Sequence, residues 1–355
     1  MKNFFIYFFS FLFIVFITYI TLEFFFLFFP VAQMFDKPNI TQDRPTLKYT
    51  ENQEILYSVG PFFDQKVTKR TNNYGYVNNN PYSKNSSPSF VIIGDSYVEA
   101  LQVNFNHSIG GLLANKYGSN NVYTLGISGS ALSQYEAFLK FAEVEFNPKS
   151  YIFVIIENDF DESLCKYKIS EGHHCYNNLM QLELIPFHGF SFLRSWARSS
   201  PLMRYLVLHL HLDWRMISKK LHLPMNDKFI NTLPLQENKQ FFKESEEVVD
   251  QFLFDVKSIT RDKKVYFIVD SNRKDINLTS QLSEHISGSY YFEYMRNYFL
   301  KKTEMYGFVA VDMAPIFRND FLANNQPLNF KTDYHWNERA HNIVADQLII
   351  HNYSK

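Results

Sequence analysis

Four short stretches of this chain carry residue types suited to acyl-transfer chemistry. Gly94-Asp95-Ser96 closes the apolar run Phe90-Val91-Ile92-Ile93 and puts a hydroxyl where a strand would give way to a helix. A serine on such a turn exposes its oxygen, and nearby backbone N–H groups can stabilise an oxyanion. Gly126-Ile127-Ser128-Gly129 follows a second apolar run. Glycine at 129 lets the backbone come close to a ligand and offer its N–H. Glu157-Asn158-Asp159 follows a third run, and the Asn158 amide can donate to a developing negative charge. Asp333-Tyr334-His335-Trp336-Asn337 sets a carboxylate two residues before an imidazole. On an extended segment these two side chains face one side, so Asp333 can fix the tautomer of His335 and stabilise its cation. His341, further along the helix that follows, reads as a structural or supporting group. Taken singly, each stretch is equally well explained as a turn or a helix cap.

The elements that must position these residues are legible as alternation. Besides 90–93, the runs 121–125, 151–156, 264–269 and 308–311 are short, β-branched or aromatic, and end at glycine or a polar residue. Runs of this kind predict strands buried on both faces. His107–Lys116 and Ser133–Phe146 have helical spacing between them. Strand–helix–strand alternation predicts an α/β fold with a parallel sheet covered by helices on both sides. Ligands bind beyond the carboxyl ends of such strands, where Ser96, Gly129 and Asn158 all fall.

Together, in order and spacing, the stretches IIGDSYVEAL, LGISGSAL, IIENDFDE and DYHWNERAH resemble the four blocks of the SGNH (GDSL-type) hydrolase family. The resemblance covers roughly residues 70 to 350 and leaves 163–250 unmatched. It implies a three-layer α/β/α, flavodoxin-like fold. It also implies Ser96 as nucleophile, His335 as general base, Asp333 as its orienting partner, and Gly129, Asn158 and the Ser96 N–H as oxyanion donors. No cofactor or metal is called for. Two positions depart from the family pattern: Ile156 stands where glycine is frequent, and Asp333 and His335 are two residues apart rather than three. The shorter Asp-x-His-Trp form resembles envelope-anchored members, including those that acetylate exopolysaccharide. The expected function is an acyl-ester hydrolase or O-acyl(acetyl)transferase acting on cell-envelope glycans. The alternatives are a membrane-surface lipase or esterase, and a non-catalytic envelope glycan-binding protein.

The N-terminus points to a membrane. Phe4 to Leu22 is an uncharged, almost wholly apolar run; Glu23 interrupts it, and Phe24 to Phe29 continue to Pro30. A helix of about 20 residues spans a bilayer, whereas a signal-peptide core has about 7–15. Pro30-Val31-Ala32 matches a cleavage site poorly, so residues 1–30 read as an uncleaved single-pass anchor. Lys2 ahead of the run favours a cytoplasmic N-terminus and a periplasmic or otherwise extracytoplasmic domain. Residues 31–88 read as a polar stalk and entry segment, and 89–355 as the catalytic domain. Its insertion, about 163–250, is expected to be mainly helical and to cap the site. Arg194, Arg198, Arg204, Arg215, Lys219 and Lys220 make Phe190–Leu223 basic as well as aromatic. Such a stretch suits an anionic membrane surface or an anionic glycan, and a solvated helical face accounts for it more simply.

Composition fits a folded protein: hydrophobic residues make up 46% and charged residues 20% of the 355, with 37 Phe and 23 Tyr. A net charge of -1 gives no hint of a nucleic-acid partner. Cys165 and Cys175 are the only cysteines. They form either one local bridge or two unrelated thiols. His173-His174 and His209-x-His211 lack a convincing metal-ligand set.

Overall fold

The computed structural model describes residues 2–212, 239–271, 287–330 and 333–353. The part of the expected insertion over 213–238, with Arg215, Lys219 and Lys220, lies outside the described residues. The chain opens with helix α1 (Lys2–Phe26), then a hairpin of β1 (Glu54–Val59) and β2 (Gln65–Arg70). Strands β3 (Phe90–Gly94), β4 (Val122–Gly126) and β5 (Ser150–Ile155) follow, then a second hairpin, β6 (His174–Tyr176) and β7 (Leu182–Leu184), and finally β8 (Lys264–Val269) and β9 (Val309–Asp312). The chain divides into two units.

The larger unit comprises Asp36–Gln53, Arg70–Gly189 and the C-terminal part of the chain. Its centre is a five-stranded, all-parallel sheet in the order β4-β3-β5-β8-β9. This is the flavodoxin-like order, and all five expected runs become its strands within a residue or two. Side chains alternate across the sheet as the two-residue period of a strand requires. Ile92, Ile152, Val154, Tyr266 and Ile268 face one core, shared with Ile109 and Leu113 of a helix at Ile109–Tyr117, Phe317 of Met313–Asn324, and Val344 and Leu348 of Glu338–Tyr353. On the opposite face Phe153 and Phe267 stack at 5.2 Å. Phe252 of the helix Lys239–Thr260 and Phe299 of Ser287–Met305 meet these rings edge-on. The helix Leu132–Glu145 carries a third buried stripe, with Tyr135, Phe138 and Leu139.

Two expectations about organisation are corrected. The insertion does not extend to 250, because Lys239–Thr260 is one of the covering helices; Val248, Val249, Phe252, Leu253 and Val256 are buried. Nor are residues 31–88, expected as a polar stalk and entry segment, polar throughout. Aromatic residues scattered among their Asn and Lys act as anchors: Leu47, Tyr49, Tyr76 and Tyr82 are buried, and Tyr82 stacks on Tyr123 at 3.9 Å while its hydroxyl accepts the Thr124 N–H at 2.7 Å. Cys165 and Cys175, left open by the sequence, form a disulfide at the entry to the β6–β7 hairpin.

The smaller unit holds α1, most of the β1–β2 hairpin, and the segment from Phe190. That segment forms short helices at Phe192–Ser199 and Pro201–Arg204, started by Ser191 and Ser200 as N-caps, then one wide helical turn at Tyr205–His209. His209 is a clamp rather than a ligand: its Nε2 accepts the Ala32 N–H at 3.0 Å, and its Nδ1 lies 2.8 Å from the Gly60 carbonyl. Phe4–Phe26 is long and apolar enough to cross a membrane, with a mean hydropathy of 2.3.

Glycine is required where β4 ends. A β-carbon on Gly126 would come within 2.6 Å of the Glu99 nitrogen and 2.8 Å of Val98 Cβ, both in the turn of helix Ser96–Glu99. Gly126→Ala is expected to lower stability by about 2 kcal/mol through overpacking, read as a shift in the denaturation midpoint of the detergent-solubilised protein.

Candidate active site

The parallel order places the ends of β3, β4, β5 and β8 along one edge of the sheet. The direction of winding reverses between β3 and β5, which is where ligands collect in folds of this kind. A cavity of about 300 Å³ opens there, lined by Ser96, Gly129, Asn158, Asp270, Tyr334 and His335 among others.

Ser96 begins a one-turn helix directly after β3. Asp95 caps this helix: its Oδ1 accepts the Tyr97 N–H at 2.9 Å, and its Oδ2 lies 3.0 Å from Ser96 Oγ. His335, 239 residues away in sequence, brings its Nε2 to 2.7 Å from the same Oγ. Its Nδ1 is hydrogen-bonded to Asp333 Oδ1, which also accepts the His335 backbone N–H at 2.9 Å. The two-residue step thus closes a compact ring in which one oxygen holds both the backbone and the imidazole. Gln102 Nε2 donates to the other Asp333 oxygen at 2.9 Å. Burial pushes the Asp333 carboxyl up, but its hydrogen bond with His335, the His335 charge and Gln102 outweigh that and hold it at about 2. Ionised, Asp333 can only accept, so Nδ1 donates to it and Nε2 is the ring nitrogen that faces Ser96. Packing completes the orientation: the Tyr97 ring lies 4.8 Å from the imidazole, and the Tyr97 hydroxyl donates to the Tyr334 carbonyl at 3.2 Å.

Gly129 sits in a tight turn closed by Ser130 N–H to the Ile127 carbonyl at 3.1 Å, with a φ of +79° that favours glycine. Asn158 lies in the 3-10 turn after β5, and its Nδ2 donates to Glu162 Oε2 at 2.7 Å. That turn is pinned from below by Asp159, whose oxygens accept the Ile156 N–H at 2.7 Å and the Tyr135 hydroxyl at 2.8 Å. Lys168 joins these two loops, contacting Glu162 and donating to the Gly129 carbonyl at 2.9 Å.

Four of the five expected site residues, Ser96, Gly129, Asn158 and His335, therefore line one cavity, and the fifth, Asp333, stands behind His335. Their supports escaped the sequence reading. Glu99, buried three residues after Ser96, accepts the Tyr49 hydroxyl at 2.5 Å and the Ser128 N–H at 2.9 Å, and so holds the loop before Gly129. Asp270 accepts the Trp336 indole N–H at 3.0 Å, which fixes the residue after His335. Gln102 and Lys168 lie outside the four stretches, and Glu162, although it closes the third, was not singled out there. His341 is structural as expected: its Nδ1 accepts the Ile109 N–H at 3.3 Å.

No family model matches the chain, and no curated protein does. Among solved structures it is similar to an alpha/beta hydrolase enzyme from the metagenome of Lake Arreo, at 14% identity, with 74% of this chain and 93% of that one covered and a TM-score of 0.40. A member of the lipolytic protein G-D-S-L family from Veillonella parvula is 9% identical, covers 73% of this chain and 95% of its own, and has a TM-score of 0.41. A catalytic mutant of an acetylxylan esterase from Geobacillus stearothermophilus is 12% identical, with 73% and 91% covered and a TM-score of 0.40.

Asp95 generates a pH dependence. Complete burial raises its carboxyl to about 6 from 3.8, against the lowering effects of the Tyr97 N–H, His335 and Ser96. The folded state thus holds this proton more tightly than the unfolded chain. Its contribution to stability is greatest below the unfolded value and is lost as pH rises from about 4 to about 6. Asp95→Asn is expected to abolish that decline, on the order of 3 kcal/mol for a two-unit shift. Denaturation of both proteins across this range checks it.

Proposed function

We propose that this chain is a serine-dependent acyl-ester enzyme of the SGNH (GDSL-type) class that forms an acyl-enzyme on Ser96. The observation that carries this reading is the unbroken line from Asp333 through His335 to the Ser96 hydroxyl at the mouth of the cavity. In the proposed reaction Ser96 Oγ attacks the ester carbonyl carbon while His335 Nε2 takes the hydroxyl proton. Asp333 stabilises the resulting imidazolium. The oxyanion is held by the Gly129 N–H, the Asn158 amide and the Ser96 N–H. Collapse breaks the ester C–O bond, and His335 returns its proton to the departing alcohol. Water, or a sugar hydroxyl, then attacks the acyl-Ser96 ester with His335 again as base. Esterase and O-acyltransferase share every one of these groups and differ only in this last nucleophile.

The substrate in this reading is an O-acylated glycan of the cell envelope. A cavity of about 300 Å³ lies at the small end of ligand sites, which favours acetyl over a long acyl chain and argues against a lipase. We assign α1 as a membrane anchor with its N-terminus in the cytoplasm, from Lys2 and the apolar helix that follows. The Cys165–Cys175 disulfide supports an oxidising compartment for the catalytic unit, and hence the periplasmic or extracytoplasmic side.

A fluorophosphonate probe is expected to label the wild-type protein and not Ser96→Ala, with intact mass locating one adduct. Labelling that persists in Ser96→Ala, or none in the wild type, overturns the reading. Asn158→Ala is expected to lower kcat with an activated acetyl ester by about 10²–10³, the loss typical of one oxyanion donor. Lys168→Met is expected to lower it less, because it acts on Asn158 and Gly129 only through Glu162 and the Gly129 carbonyl; Lys168→Arg restores part of the loss. Free acetate as sole product identifies an esterase, and an acetylated glycan acceptor identifies a transferase.

A further inference from the structure

α1 has one face that is already occupied. From Phe4 to Thr18 every residue is exposed, whereas Tyr19, Glu23 and Phe26 are half-buried. Their spacing of four and three residues puts them on a single stripe of the helix. The Tyr19 ring meets Trp196 at 6.1 Å between centroids, and Phe26 stacks on Tyr205 at 4.3 Å. Between them the Glu23 carboxylate accepts the Ser200 hydroxyl at 2.9 Å and the Leu202 N–H at 3.2 Å. This satisfies a charge that would otherwise be costly in an apolar helix.

These partners all belong to the same unit, and they run back along α1 rather than leaving from its end. At 1.5 Å rise per residue, Tyr19 lies about 10 Å before Phe26 along the helix axis. A helix that spans the bilayer with Phe4–Phe26 therefore carries Trp196 below the membrane surface. The outward side of Phe192–Leu212 has the chemistry for that depth. Phe192 is 84% and Leu193 72% exposed, and Trp196, Val207, Leu210 and Leu212 are exposed as well. The guanidinium groups of Arg194 and Arg198 lie over the Phe190 ring at 4.8 and 4.2 Å. Arginine stems can cover apolar surface while the charge reaches toward lipid headgroups.

We propose that Phe192–Leu212 is a second membrane-contacting element, a collar around the emerging end of α1, whose exposed apolar side chains are covered by lipid with Trp196 at the headgroup–acyl boundary. The proposal rests on the reading of α1 as a bilayer span. It adds that the membrane holds the protein by a surface as well as by a tether, which restricts how the chain can pivot about α1.

The test uses the full chain in vesicles of phosphatidylcholine and phosphatidylglycerol with brominated acyl chains, which quench tryptophan on contact. Part of the tryptophan emission is expected to be lost, more with bromine near the headgroup end than near the terminal methyl. That part should be missing in Trp196→Phe. Protein that floats with the vesicles but whose Trp196 emission is quenched by aqueous iodide and not by bromolipid overturns the collar alone. Protection from both quenchers also overturns it, since another protein surface then covers this face. Failure to float overturns the anchor and the collar together. Fluorophosphonate labelling of Ser96 in Trp196→Phe, expected to be unchanged, reports separately on the enzymatic reading.

Discussion

The candidate site depends on a single oxygen. Asp333 Oδ1 accepts both the ring Nδ1–H and the backbone N–H of His335. One carboxylate thereby fixes the tautomer, the ring plane and the local turn together. The other ring nitrogen, Nε2, is left to meet Ser96 Oγ. Trp336, buried and tied to Asp270, then locks the loop onto the end of β8. Preorganisation of this kind lowers the reorganisation needed at the moment of reaction.

The sheet supplies the other half of the geometry. Parallel strands deliver all their carboxyl ends to one edge, so residues 96, 129 and 158 reach one cavity although each belongs to a different strand–helix unit. Small residues keep this edge tight. The first helix turn can lie against β4 only because Gly126 has no side chain there.

Much of this was legible in the sequence, for physical reasons. Strands buried on both faces must be continuously apolar, so all five runs stood out. Each polar residue at a strand end could be a turn or a cap, and only their order and spacing together marked the site. Much of the supporting network was not legible, because Glu99, Gln102 and Lys168 act through partners, Tyr49, Asp333 and Gly129, that only the tertiary fold brings near. The buried anchors within 31–88 went unnoticed because its composition is polar on average. A few anchors, such as Tyr76 and Tyr82, decide its packing, and an average conceals them. The insertion was drawn too long because an amphipathic covering helix and a helical insertion have the same periodicity, and only the contact with Phe153 distinguishes them. The disulfide was undecidable because pairing depends on approach in space.

Glu99 has a consequence for how far the support of the site extends. This buried carboxylate joins the Tyr49 hydroxyl to the Ser128 N–H, knitting together three stretches that leave the ribosome at different times. The loop beside Ser96 therefore takes part of its shape from outside the sheet, and Tyr49, which does not line the cavity, belongs to its support.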